Sequence, residues 1–187
     1  MRGSPCARVE GVVAVRWLEP GVAEDLELAL AATDVVNRAY AHAENGLFAT
    51  KIDRTDVKAV IASISRRETA VALLDGAVVG SVRARALNDR TGWFGGLGVE
   101  PAVQGQGFGA ALVGFVEDDA AAAGRAEMQL EVFESEPVHP HLSRIRAWYE
   151  RRGYHETSRL PLDALYPEDA ARLIVAALDV VTLRKSL

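Results

Sequence analysis

The stretch Trp93-Phe94-Gly95-Gly96-Leu97-Gly98-Val99-Glu100-Pro101-Ala102-Val103-Gln104-Gly105-Gln106-Gly107-Phe108-Gly109 decides how this chain is read. A hydrophobic run, Trp93 to Val99, leads into the glycine-dense hexapeptide Gln104 to Gly109, and that opens an alanine-rich amphipathic stretch to Ala123. A glycine turn between a strand and a helix leaves backbone amides free of obstructing side chains, beside the positive end of a helix dipole. Such a turn is a seat for phosphate.

Working outward, Val12 to Leu18 is rich in β-branched residues and stops at Glu19-Pro20-Gly21, which predicts a first strand. Leu28, Ala32, Val35 and Ala39 recur at helical spacing between Glu24 and Tyr40, and a second helix is expected from Thr55 to Ile64. Two β-prone runs, Thr69–Leu74 and Ala77–Leu87, flank Asp75-Gly76, the pattern of a tight hairpin. The strand Gly92–Val99 and the helix striped by Phe108, Ala111, Leu112, Phe115 and Val116 follow. Met128 to Phe133 then reads as a strand, and Leu142, Ile145 and Tyr149 mark a short helix closed by Gly153. His155 to Leu160 is extended, Pro167 opens an expected helix Glu168–Ala177, and Val180–Leu183 forms a final strand. No internal repeat or composition shift marks a second domain, so residues 8–187 are expected to form one domain behind a disordered tail, 1–7. Met-Arg-Gly-Ser at 1–4 has the look of an expression leader.

A chain of 187 residues with 49% hydrophobic and 25% charged residues is long enough to bury a sizeable core. Its formal net charge of -5, without a lysine- or arginine-rich block, argues against nucleic acid as the main partner. Cys6 is the only cysteine and no Cys/His set has zinc spacing, so neither an internal disulfide nor a metal is expected. No apolar stretch spans a bilayer and Met1–Ala7 lacks a signal-peptide core; a cytoplasmic protein is the expectation.

Three readings compete for the glycine turn. A dinucleotide fingerprint needs Gly-x-Gly-x-x-Gly after a first strand, but Ala110 stands where the third glycine belongs and several elements precede it. A P-loop needs Gly-Lys-Ser/Thr, and no lysine is nearby. The third pattern is Gln/Arg-x-x-Gly-x-Gly/Ala, here Gln104-x-x-Gly107-x-Gly109 behind Leu97-Gly98-Val99-x-Pro101. With it the chain resembles the GCN5-related N-acetyltransferase (GNAT) superfamily. The resemblance also covers Ala147-Trp148-Tyr149-Glu150-Arg151-Arg152-Gly153-Tyr154, which looks like the family's second signature, an aromatic-Tyr-x-x-x-Gly-aromatic helix end.

The resemblance implies an α/β (α+β) GNAT fold: a mixed sheet of about six to seven strands flanked by about four to five helices, with a bulged, splayed central strand. It implies acetyl-coenzyme A, or another short acyl-coenzyme A, as co-substrate. The amides of Gln104, Gly105, Gln106, Gly107, Phe108 and Gly109 would bind its pyrophosphate, and Leu97, Gly98 and Val99 would run beside the pantetheine arm, with Gly95-Gly96 consistent with the bulge. The Val99 amide would serve the oxyanion. Tyr149 would be the general acid for the leaving thiolate, although its face, shared with Leu142 and Ile145, is also that of a core tyrosine. Many relatives carry a glutamate on the strand before the loop, but Thr91–Val99 holds no acid; Glu100, Glu131 and Glu134 are the candidate bases, with His139 and His141 behind them. Leu142 stands where many relatives have an asparagine, and Glu134–His141 is acidic and proline-broken. Arg151 and Arg152 suit the end of the helix dipole better than a phosphate.

Two functions follow. One is an N-acyltransferase moving an acetyl or short acyl group to a primary amine, small-molecule or peptide, by direct attack in a ternary complex. The other is a non-catalytic acyl-coenzyme A binding or sensing module, suggested by the missing strand acid. Ala41–Arg54 and Glu134–His141 are expected to choose the acceptor, and an exposed final strand is expected to be free to pair with a second copy.

Overall fold

Asp75 and Gly76 take φ of 50° and 83°, the left-handed pair that a two-residue hairpin connection requires. They join β2 (Thr69–Leu74) to β3 (Ala77–Ala86), the hairpin at the middle of the left half of the sheet. The computed structural model describes residues 13–21 and 23–187. The expected tail, 1–7, and Cys6 lie outside the described residues. The remaining elements are β1 (Val13–Trp17), α1 (Ala23–Ala43), α2 (Val57–Ser65), β4 (Thr91–Val99), α3 (Phe108–Ala122), β5 (Glu127–Glu136), α4 (Pro140–Glu150), β6 (His155–Pro161), α5 (Leu162–Leu165), α6 (Pro167–Ala170) and β7 (Ala177–Ser186).

The seven strands form one mixed sheet in the order β1-β2-β3-β4-β5-β7-β6. Every pairing is antiparallel except β4 with β5, which is parallel. Period-2 alternation sends Phe94, Val82, Met128, Leu130 and Leu183 to one face, where they pack with Leu112, Val113 and Val116 of α3 and Tyr149 of α4. On the other face Leu18, Val71, Val60 and Ile64 pack with Ala29 and Ala32 of α1. Asp56 starts α2 by accepting from the Ala59 amide at 2.8 Å, a cap worth about 1 kcal/mol.

Three expectations are corrected. The predicted helix Glu168–Ala177 ends at Ala170. The following segment turns at Ala171–Arg172 and then makes one isolated bridge: Phe48 bridges Leu173, the Ala49 amide donates to the Arg172 carbonyl at 2.7 Å and the Ile174 amide to the Leu47 carbonyl at 3.0 Å. Tertiary pairing outweighs the helix propensity of an Ala-Ala-Arg-Leu run. The final strand spans ten residues and lies between β5 and β6, so β6, not β7, is the edge. β5 continues to Glu136, which places Glu134 in a strand and reduces the link before α4 to Pro137–His139. Among the described residues no helix is long and apolar enough to cross a membrane.

Candidate active site

β4 positions the site through two irregularities. Against β3, Ser81 pairs with Gly98 and Arg83 with Gly95, so Gly96 and Leu97 together face Val82 in a bulge. Gly96 turns to φ 60° there. Against β5, pairing stops after Trp93 with Gln129, and the two strands diverge. The Glu100 amide donates to the Val79 carbonyl at 2.9 Å, and antiparallel alternation then makes Ser81 and Gly98 a hydrogen-bonded pair and Gly80 and Val99 a non-bonded one. The Val99 amide therefore points into the opening between β4 and β5, while Gly98 spends both backbone groups on β3. A side chain at Gly98 would also meet the Val36 Cα of α1 at 2.9 Å. Gly98 lets α1 approach, and the groups facing the opening belong to its neighbours.

The glycine loop follows. Gly105 and Gly107 take φ of 80° and 100°, with nothing within 4 Å of the space a side chain would fill. They are glycines for backbone conformation, and that conformation aims amides outward. Among the described residues no acceptor takes the amides of residues 105–110, which form the turn and the start of α3. Gln104 Nε2 donates to the Val99 carbonyl at 3.1 Å, fastening the loop to the strand end. Gln106 Oε1 is buried without a partner among the described residues. The loop is thus an open row of donors at a helix start, which fits a pyrophosphate.

α4 brings Trp148, the chain neighbour of Tyr149, to the same place. A side chain at Gly109 would stand 3.6 Å from Val99 Cγ2 and 4.0 Å from the Trp148 ring, so strand end, loop and α4 converge. Trp148 and Tyr149 stack edge to face at 4.8 Å, with Phe94 and Tyr154 6.0 and 5.7 Å from Tyr149. Tyr149 is 6% exposed, and its hydroxyl has no hydrogen-bond partner among the described residues. Burial pushes its pKa far above the usual phenol range, the Tyr40 hydroxyl adding to this and Arg152 opposing it. Behind it the Tyr154 hydroxyl donates to Glu117 at 2.7 Å, and Glu117 also accepts from Lys185 at 2.7 Å, which locks the ring cluster. Arg152 lies 4.6 Å over the Trp148 ring and donates to the Ala110 carbonyl at 3.3 Å, binding the first turn of α3 instead of its own helix end.

The candidate bases separate by their partners. Glu100 is 3.0 Å from Arg38. Glu134 is gripped by Arg146 and, at 2.6 Å, by Arg159. Glu131 has no ion pair among the described residues and meets only the Tyr166 hydroxyl, at 3.4 Å. His139 sits at the start of α4 with Nε2 3.1 Å from the Asn45 carbonyl, and His141 packs edge to face on His42. Burial holds His141 below the usual imidazole range, with Arg144 and His42 adding to it.

A set of side chains that sequence reasoning missed closes the other side of the opening. Tyr40, on α1, has a pKa raised to about 12 by burial and by Glu44, with the Arg54 charge and the Gly96 amide opposing. Arg54 binds Glu44 at 2.7 Å and Asp169 at 3.1 Å, and its guanidinium faces the rings of Tyr40, Phe48 and Phe133 at 5.9, 5.3 and 5.2 Å. Burial raises the Glu44 carboxyl above its usual range, against the pull of Arg54. Nothing in the spacing of residues 40, 44, 54, 133 and 169 marks them as neighbours; the only local hint is a pair four apart, Tyr40 and Glu44, on one helix face. Beside them a cavity of about 180 Å³ runs between α1, α2 and the bulge. A second, of about 240 Å³, lies at the far end of β4 near Trp17 and Met128, away from these groups. No cluster of three metal-ligating side chains occurs among the described residues.

Comparison with known proteins agrees with this architecture. The family model "Acetyltransferase (GNAT) domain" matches residues 65–156, just under half of the chain, from the end of α2 into β6. The fold is shared with a putative acetyltransferase, yncA, from Salmonella typhimurium solved with acetyl-CoA, at 17% identity over 94% of each chain and a TM-score of 0.66. It is shared with the PaiA N-acetyltransferase of Thermoplasma acidophilum in complex with coenzyme A, at 13% identity over 94% of this chain and 99% of that one, TM-score 0.70. The ribosomal-protein-S18-alanine N-acetyltransferase of Escherichia coli matches at 21% identity over 94% of each chain, TM-score 0.67. A search of the curated proteins finds no match to the sequence.

Proposed function

We propose that this chain, which carries a GNAT domain, transfers an acetyl or short acyl group from acyl-coenzyme A to a primary amine by direct attack in a ternary complex, with residues 8–187 as one catalytic domain. The observation that carries this is the meeting, at one gap in the sheet, of an open amide row, an unpaired strand amide and a buried phenol. The donors at Gly105–Gly109 would hold the pyrophosphate, and Gln104 would brace the loop on Val99. Leu97 and Val99 would flank the pantetheine arm, with Gly98 as the spacer against α1.

Acyl-coenzyme A supplies a thioester carbonyl as the electrophile. The amine nitrogen bonds to that carbon, the carbon–sulfur bond breaks, and the electron pair leaves on sulfur. The Val99 amide is directed to receive the charge that develops on the carbonyl oxygen. Tyr149 is the proton donor to sulfur: its raised pKa keeps the phenol protonated across the working range, as an acid requires. The proton lost by the ammonium goes to Glu131, directly or through water, because arginines engage Glu100 and Glu134.

A thiol-release assay over a panel of amines, run beside calorimetric titration of coenzyme A, tests the reading. Tyr149→Phe is expected to lower kcat about 100-fold or more with coenzyme A affinity kept. Glu131→Gln is expected to lower kcat/KM about 100-fold with coenzyme A affinity kept. Tight coenzyme A binding without turnover on any amine would favour the non-catalytic binding module, the reading suggested by the acid-free β4. No binding at all would remove both.

A further inference from the structure

We infer that the acceptor is a small amine bearing its own carboxylate, an amino-acid-like molecule held by Arg83 and Arg54 in the cavity beside the bulge; this rests on the acyl-transfer reading above. The cavity, partly open to solvent, holds about 180 Å³, below the range of sites for drug-sized ligands. It therefore suits an acceptor of a few heavy atoms. Gly95 and Gly96 form its wall at the opening where Tyr40 approaches, and the Trp93 ring fills the space a side chain at Gly95 would need.

Its lining includes two arginines, Arg54 and Arg83, and no acidic residue. The acids that balance these arginines bind them from outside: Glu44 and Asp169 for Arg54, Glu68 for Arg83. Glu68 takes Arg83 through Nε and Nη2, at 3.0 and 2.7 Å, and Arg83 Nη1 is left without a partner among the described residues. Arg54 commits one hydrogen from each terminal nitrogen and keeps one on each. Both forks are thus held in orientation by ion pairs and keep donors that those pairs do not use. A guanidinium fork matches the geometry of a carboxylate. A polycation such as an aminoglycoside finds no acidic lining here.

The experiment uses the full chain saturated with coenzyme A or acetyl-coenzyme A. The probes are natural amino acids paired with their decarboxylated amines, read by thiol release and by saturation-transfer NMR. The expected result is a kcat/KM at least about tenfold higher for the carboxylate member of some pairs, matching one charge-assisted bidentate contact. Arg83→Gln is expected to collapse that ratio toward one through KM, with coenzyme A affinity kept. Arg83 is 43% exposed and Glu68 retains Arg66 at 3.1 Å, so the fold is expected to survive, checked by circular dichroism. Equal rates within every pair, a ratio unchanged in the variant, or amino acids that give no NMR contact with the loaded protein would each overturn the inference. If coenzyme A binds and only carboxylate-free amines turn over, this inference fails and the acyl-transfer reading stands; if coenzyme A does not bind, the failure lies in that reading.

Discussion

On the α3 side of the β4–β5 gap the candidate groups are mostly backbone, contributed by the continuous run Leu97–Gly109. On the α1 side they are side chains from separated segments: Tyr40 and Glu44 from α1, Arg54 from the loop after it, Phe133 from β5, Asp169 from α6. The first side is shaped by conformation, which glycines at positive φ create locally. The second is shaped by charge and packing, which only the tertiary structure assembles. Under the proposed function, the backbone cradle would serve every acyl-coenzyme A alike, whereas the side-chain wall would be free to differ with the acceptor.

That contrast predicts different failures. Arg54→Ala leaves Glu44, 8% exposed, as a buried carboxylate without its cation, and is expected to cost about 3–5 kcal/mol of stability while the glycine loop is untouched. The pH dependence has a definite sign. The Glu44 carboxyl already lies above its usual range and would rise further, so the variant's stability is present at low pH and is lost as pH climbs through the raised pKa. Thermal melts of both proteins between about pH 5 and 8 should diverge toward the alkaline end. Parallel melts would separate Arg54 from any clamp on that wall.

Gly107→Glu strikes the other side. Its φ of 100° disfavours any side chain, by about 1–2 kcal/mol, and a carboxylate would repel a pyrophosphate. Coenzyme A affinity is expected to fall about 100-fold or more by calorimetry, with the acceptor wall intact. Gly109→Ala is the mildest probe. The added methyl meets Val99 Cγ2 at 3.6 Å, an ordinary contact, so stability should shift by less than about 0.5 kcal/mol. A measurable loss of coenzyme A affinity is nevertheless expected, because the methyl narrows the approach to the amides. An unchanged affinity would move the ligand away from the start of α3.

Much of the fold was legible because local chemistry decided it. Asp75-Gly76 dictated the hairpin, Gly95-Gly96 marked the bulge, and Gly153 closed the helix carrying Tyr149 at φ 92°. The misread elements lie where partners far along the chain compete with local preference. Residues 171–175 have helical composition, yet the helix stops in a turn at 171–172 and pairing of 172–174 with 47–49 takes over. β7 reads as a short terminal strand and is inserted between β5 and β6, since insertion satisfies both of its ladders.

By itself the sequence determined the glycine turn, most of the order of elements and the place of Tyr149 on a short helix closed by Gly153, because these follow from backbone freedom and periodicity within a few residues. Only the tertiary structure decided that Val99 directs its amide into the gap, that Gly98 serves α1, that Glu131 lacks the arginine partners of Glu100 and Glu134, and that Arg54 is ringed by groups up to 115 positions away. Hydrogen-bond phase across a ladder and charge pairing across a gap are relations between strands and helices, and linear spacing does not encode them.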